Sequence, residues 1–249
     1  VTTDLTDAGL ARSVALEAGA LLQEIRARGT IVGAAMGAVG DREANMLIID
    51  RLRAERPNDF ILSEESLDDR SRCAAQRVWI VDPLDGTREY AEGLDDWAVH
   101  IGLAIDGVPR VGAVAVPARG AVFATDDPAR TWAPAGEPLR IVVSRSRAPD
   151  IARRVGAAMG ATLVPMGSAG AKAMAVVDGR ADAYLHDGGQ YEWDNCAPAA
   201  VAIAAGLHAS RIDGSQLVYN CVDPLLPDLL ICRPELAASI LAALAAARD

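Results

Sequence analysis

Two aspartates three residues apart, Asp82 and Asp85, stand at the end of an apolar run, Val78-Trp79-Ile80-Val81, and lead into Gly86-Thr87-Arg88-Glu89-Tyr90. The run favours a buried strand, so both carboxylates are delivered where that strand ends. Pro83 is expected to stop the strand and Asp85-Gly86 to make a turn, since glycine accepts a positive φ. Thr87 then falls where a helical turn can begin, with its hydroxyl and free backbone N–H groups facing outward, an arrangement suited to phosphate. Spacing alone leaves a capped surface turn equally open. Two more acidic patches bear on the choice. Ser63-Glu64-Glu65-Ser66 follows Phe60-Ile61-Leu62, another short apolar run, and Trp193-Asp194 precedes an alanine-rich helical stretch. Carboxylates brought to one point repel one another unless cations hold them, and an all-oxygen donor set suits the hard ion Mg²⁺.

The elements that must position these groups follow from apolar spacing. Residues 5–28 repeat Leu10, Val14, Leu21, Leu22 and Ile25 near helical spacing and give a first amphipathic helix. Residues 29–40, rich in Gly and Ala, read as a mobile loop or loose hairpin, and Asp41 as the N-cap of a helix that runs to Glu55 before Pro57. Residues 97–105 and 110–116 form a hairpin about Asp106-Gly107, with Pro109 limiting the pairing, and 121–125 adds a strand. Residues 125–138, holding Pro128, Pro134 and Pro138, connect a first lobe, 1–125, to a second, 126–249. The second lobe alternates strand 139–143, helix 149–159, strand 162–165, helix 168–177, strand 181–186 and helix 194–205, which Gly206 closes. Short strands near 208–212 and 229–232 and a helix over 234–247 complete it.

A chain of 249 residues with 51% hydrophobic and 23% charged residues can bury a large core and reads as a soluble globular protein. Its net charge of -10 excludes a general binder of nucleic-acid polymers or anionic membranes, which needs a cationic footprint. An anionic substrate would need help from metal or from local Arg. Arginine supplies all the basic residues except Lys172. Cys73, Cys196, Cys221 and Cys232 have neither C-x-x-C pairing nor a His at zinc spacing, which favours reduced thiols. His100, His186 and His208 do not cluster in sequence, and neither a serine nucleophile elbow nor a Walker loop is present, which disfavours covalent acyl chemistry and NTP hydrolysis. The polar, acidic start and the shortness of the apolar runs lead us to expect a cytoplasmic enzyme.

Glu64-Glu65, Asp82-Pro83-Leu84-Asp85-Gly86-Thr87, and Trp193-Asp194 with its small-residue helix resemble the signature elements of the lithium-sensitive, Mg²⁺-dependent inositol monophosphatase superfamily. Arg88-Glu89-Tyr90 after the threonine resembles its bisphosphate nucleotidase branch, in particular the CysQ-type enzymes of actinobacteria. The resemblance implies an α+β fold, a layered αβαβα sandwich, in a homodimer. It implies hydrolysis of the 3'-phosphate of adenosine 3',5'-bisphosphate, and of its sulfated form, in sulfate assimilation. Glu64, Asp82 and the carbonyl of Leu84 would ligate a first Mg²⁺, and Asp82, Asp85 and Asp194 a second. Asp41 and Thr87 would orient the attacking water, Gly86 and Thr87 N–H groups would hold a phosphate oxygen, and Glu65 would support the ligands from behind. Gly167, Ser168 and Lys172, with Arg88, would lie beside the substrate's second phosphate or ribose, and Asp187 and Tyr191 beside its sugar or base. The family's usual Lys is missing from the loop before Asp41, and Ala38 stands where a Thr is frequent. Those departures set a loosely held third Mg²⁺ apart from the first two. An inositol or sugar monophosphatase and a phosphonucleotide-binding protein stay open as alternatives.

Overall fold

The computed structural model describes residues 5–132, 135–146 and 148–248. Helix α1 (Asp7–Arg28) begins at Thr6, whose hydroxyl accepts the Gly9 N–H at 3.1 Å, and ends at Gly29 with φ 63°. Helix α2 (Ala34–Glu55) begins earlier than its glycines suggested, at an N-cap on Gly33, so residues 34–40 are helical and Asp41 lies inside the helix rather than capping it. Gly37 and Gly40 are close-approach positions. A Cβ on Gly37 would lie 2.7 Å from Thr87 Cγ2, and one on Gly40 would lie 3.0 Å from Leu22 Cδ2.

The first sheet has the order β1 (Phe60–Ser63), β2 (Arg77–Asp85), β3 (Ala98–Ile105), β4 (Val108–Val116) and β5 (Ala121–Ala124), with β1 parallel to β2 and the rest antiparallel. Pro83 does not stop β2. The ladder to β3 absorbs it as a bulge, with Asp82 opposite His100 and Asp85 opposite Ala98. Strand side chains alternate faces, so residues three apart would point to opposite sides of the sheet. The extra residue cancels that flip, and both aspartates share the face of His100 and Ala98. Gly86, at φ 89°, then turns the chain into the short helix α3 (Thr87–Ala91).

Residues 125–132 and the described part of 135–139 lie outside helices and strands and lead to the second sheet; Pro134 lies outside the described residues. That sheet has the order β7 (Thr162–Met166), β6 (Arg140–Ser144), β8 (Ala183–Tyr191), β10 (Leu225–Cys232) and β9 (His208–Ser210). Here β7, β6 and β8 are parallel, and β10 runs antiparallel to both β8 and β9. Strand β8 runs past His186 to Tyr191, so helix α6 (Glu192–Ala204) starts two residues before Asp194.

Helices α1 and α2 pack on the outer face of the first sheet around Leu10, Leu22, Ile48, Trp79 and Ile101. Helices α5 (Ala169–Val177) and α6 lie between the sheets, touching both. Helices α4 (Asp150–Met159) and α7 (Ala237–Arg248) cover the far face of the second sheet around Ile141, Val155, Leu230 and Leu244. The layers run αβαβα, as expected from the sequence. Both sheets are covered by apolar stripes, whose burial drives the assembly at roughly 25 cal/mol per Å² of apolar surface removed from water.

Candidate active site

The face of β2 that carries Asp82 and Asp85 looks into the layer of α5 and α6, and there the acids converge. Carboxylate oxygens of Asp82, Asp85 and Asp194 all lie within 4.8 Å of one another. Asp194 is drawn to this point because it occupies the first turn of α6 and accepts the Tyr191 N–H at 2.5 Å. Glu64 reaches the cluster from the turn after β1, with its side chain against Asp82. Asn45, one helical turn beyond Asp41, fixes that turn: it accepts from Ser63 Oγ at 2.7 Å and donates to Ser66 Oγ at 3.2 Å.

Burial and mutual repulsion set the electrostatics. Asp82, wholly buried, is pushed well above the usual carboxylate range by loss of water and then by Glu64, Asp85 and Asp194. Desolvation raises Asp194 to about 7, with Asp85 and Glu64 adding to it. Glu64 is raised to about 7 by withdrawal of its carboxyl from water, then by Asp41 and Asp85. Asp85 goes the other way. Burial pushes it up, but His100, Lys172 and a hydrogen bond from Ser168 pull it below its ordinary value. Its Oδ2 accepts from Ser168 Oγ and from the Gly170 N–H at 2.7 Å, and His100 Nε2 stands 3.1 Å away. His100 Nδ1 is 3.0 Å from the Trp193 carbonyl. A carbonyl can only accept, so Nδ1 carries the proton of that hydrogen bond, while Nε2 faces Asp85 as a close polar contact. Burial, the largest single influence, lowers the ring's pKa, but Asp85, the Trp193 carbonyl and Asp194 together raise it, and the net direction is up.

Beside the acids, Thr87 Oγ1 donates to the Leu84 carbonyl at 3.0 Å, with Asp41 Oδ1 at 3.4 Å. Desolvation and the charge of Glu65 raise Asp41 to about 7. Leu84 buries its side chain among α1 and α2 residues and turns its backbone toward the site. The structure therefore brings together Asp41, Glu64, Asp82, Leu84, Asp85, Thr87, Ser168 and Asp194. Glu65 is exposed on the turn and acts on Asp41 through its charge.

The expected substrate rim is dispersed. Arg88 points outward and pairs with Glu92 at 2.9 Å on the surface of α3. Lys172 is not a solvated side chain. It is 5% exposed, donates to Ser168 O at 2.6 Å and lies 5.3 Å from the Tyr184 ring, and desolvation lowers its pKa. Gly167 gives its N–H to Asp96, at 2.5 Å. Asp187 lines a cavity of about 460 Å³ with Arg145, Ser146 and Arg153. Tyr191, 41% exposed, stacks on Trp193 at 4.7 Å. Sequence reasoning missed two residues here. Arg145 pairs with Glu89 at 3.3 Å and with Asp96, joining the cavity to the Gly167-Ser168 turn. No spacing in the sequence links 145 to 89 or 96. His100 left a fainter signal, as the one imidazole inside the apolar run 97–105.

A layered αβαβα fold with acids from a β2 bulge, the β1 turn and the start of α6 defines a phosphatase class, and residues 10–248 match the inositol monophosphatase family model. The chain belongs to that metal-dependent family. It is 54% identical over 239 residues to a 3'-phosphoadenosine 5'-phosphate phosphatase of Mycobacterium bovis, covering 92% of this chain and 90% of the relative. It is 30% identical to the Escherichia coli 3'(2'),5'-bisphosphate nucleotidase CysQ, covering 72% and 78% of the two chains. Among solved structures, inositol monophosphatase II of Staphylococcus aureus superposes with a TM-score of 0.81 at 20% identity, over 97% of this chain and 96% of that one, a likeness of fold.

Proposed function

We propose that this protein is a Mg²⁺-dependent phosphomonoesterase that removes the 3'-phosphate of adenosine 3',5'-bisphosphate, leaving AMP and phosphate. The observation that carries the reading is the convergence of Asp82, Asp85 and Asp194 beside the Thr87–Asp41 pair. The substrate follows from the phosphatase and nucleotidase that the chain resembles.

The donor set fits Mg²⁺, being all oxygen, with Asp82 and Asp194 held above their usual range by burial and then by neighbouring carboxylates whose repulsion a divalent cation relieves. Glu64, Asp82 and the Leu84 carbonyl would hold one ion, and Asp82, Asp85 and Asp194 another. Bound there, the ions supply Lewis acidity for the phosphoryl and leaving oxygens. Thr87 Oγ1 and Asp41, 3.4 Å apart, would align a water for in-line attack on phosphorus, and Asp41 would take its proton near neutral pH. The P–O3' bond breaks as the new P–O bond forms, and the ribose oxygen leaves with a proton. Backbone N–H groups at Gly86 and Thr87 would steady a phosphate oxygen.

For the rim we favour Arg145 and Arg153, which line one cavity with Asp187, as partners of the second phosphate, over the buried Lys172 and over Arg88, which is paired with Glu92 and lines a second cavity with Thr87. The exposed Tyr191 offers an aromatic face for the base. The proposal keeps a homodimer, lithium sensitivity, cytoplasmic sulfate assimilation and lobes split near residue 125.

The test compares kcat/KM with Mg²⁺ for adenosine 3',5'-bisphosphate, myo-inositol 1-phosphate and fructose 1,6-bisphosphate. A strong nucleotide preference is expected. Equal or better turnover of the inositol ester would reassign the protein to that activity, and no phosphate from any of the three would leave it a binding protein.

A further inference from the structure

We infer that His100 is a positioning residue for the metal site: by touching Asp85 Oδ2 and the Trp193 carbonyl at once, it sets the spacing between the carboxylates of Asp85 and Asp194. The inference rests on the reading that those carboxylates hold Mg²⁺.

His100 is fully buried on the face of β3 shared with Ala98 and Ala104, where an apolar residue would fill space without a desolvation cost. What an apolar residue cannot do is span elements. Through Nε2 the ring reaches Asp85 at the end of β2, 3.1 Å away. Through Nδ1 it reaches the carbonyl of Trp193, the residue before Asp194 in α6, 3.0 Å away. From the third side it is fixed by α5, because Gly170 lies flush against it and a Cβ there would overlap Nε2. Asp85 arrives on β2 and Asp194 on α6, elements far apart in the chain, and His100 is a side chain that reaches the acid-bearing part of both. Ser168 Oγ and the Gly170 N–H donate to Oδ2 of Asp85, and His100 Nε2 stands 3.1 Å from the same oxygen, so α5 and β3 hold this carboxylate together. Partners behind a ligand commonly change metal affinity 10–100-fold when removed.

Two neutral amides separate the contacts. The amide nitrogen of His100→Gln can stand near Nε2 and keep the Asp85 contact, whereas that of His100→Asn stands near Nδ1 and keeps only Trp193. Mg²⁺ affinity is measured by calorimetry without substrate, beside the melting midpoint of each metal-free protein. Because each amide keeps one contact and loses the other, both variants should bind Mg²⁺ with a Kd about 10–100-fold weaker than wild type, with metal-free midpoints close to it. Wild-type affinity in either variant would overturn the inference. Should His100→Asn not fold, His100→Gln decides alone: a tenfold loss supports the assignment, and wild-type affinity sinks it. Asp85→Asn is the control. If it binds Mg²⁺ as wild type does, the metal reading itself fails and takes this inference with it, whereas loss there with wild-type affinity in an amide variant isolates the failure to His100.

Discussion

Asp82, Asp85 and Thr87 reach the floor of the cleft within one strand–turn–helix segment, by way of one bulge and one glycine turn. The rim is spread out: Arg145 after β6 and Asp187 on β8 line one cavity, Tyr191 ends β8 outside its lining, and Glu89 and Asp96 reach Arg145 from the other sheet's connections. Asp82 and Asp85 are buried, so packing over-determines the acidic part of the floor, with Thr87 partly open beside them. The rim is half open, and its arginine is held by ion pairs that water can replace. Chemistry common to phosphate esters belongs to the rigid part, and choice of leaving group to the part with freedom to vary.

That contrast can be broken first at Asp85. Asp85→Asn should cut kcat by more than about 10³-fold at saturating Mg²⁺, beyond the 10–100-fold typical of a partner behind a ligand, with circular dichroism unchanged. Near-wild-type turnover would remove the floor from the chemistry. Next, Thr87→Ala should lower kcat by about 10²-fold or more with little change in KM, since it removes orientation of the water and not substrate binding. A pure KM effect would move Thr87 to the rim. Third, Arg145→Ala should raise KM for adenosine 3',5'-bisphosphate by about tenfold, the scale of one hydrogen bond to a charged group, and leave a nucleoside 3'-monophosphate unaffected. Arg88→Ala serves as the comparison and should stay within about twofold. If the two arginines exchange effects, the exposed pair on α3 reads the substrate after all.

The smallest effect is on stability. Asp41, Glu64 and Asp194 hold protons up to about 7, against ordinary values near 4. Between about pH 4 and 7 the metal-free folded protein therefore binds more protons than the unfolded chain, and its stability should fall as pH rises through that window and level off above it. Asp85, shifted downward, acts with the opposite sign below about pH 4 and does not offset this. Melting in EDTA at pH 5 and pH 8 should differ by a few degrees, at about 2–4 °C per kcal/mol, and added Mg²⁺ should close the gap at pH 8. A midpoint that climbs from pH 5 to 8 in EDTA would contradict the crowding.

Local segments were legible in the sequence because their signals are local. The apolar run before Asp82, the turn at Gly86 and the alanine-rich helix after Asp194 all appear where expected. The failures have a common cause in packing across layers. Gly37 and Gly40 looked like breakers, yet they are where α2 meets α3 and α1. Pro83 looked like a stop, but a neighbouring strand with room for an extra residue took it in as a bulge. Lys172, expected beside the substrate, lies buried with Ser168 O and the Tyr184 face as its neighbours, a burial that no spacing in the sequence forecasts. Ion pairs such as Arg145–Glu89 leave no periodic trace.

Helix α6 rests directly on glycine: a Cβ at Gly112 would come 2.5 Å from the Ala197 carbonyl, and one at Gly102 would come 3.0 Å from the Ala197 N–H nitrogen. The backbone of α6 thus bears on β3 and β4 with no side chain between to cushion it. A lever follows from this contact. One methyl group added at Gly112, a position that touches neither acid nor substrate, must lift the helix, and Asp194 rides on that helix's first turn. Mutational sensitivity of the catalytic floor should therefore extend along the axis of α6 to glycines on the strands beneath it.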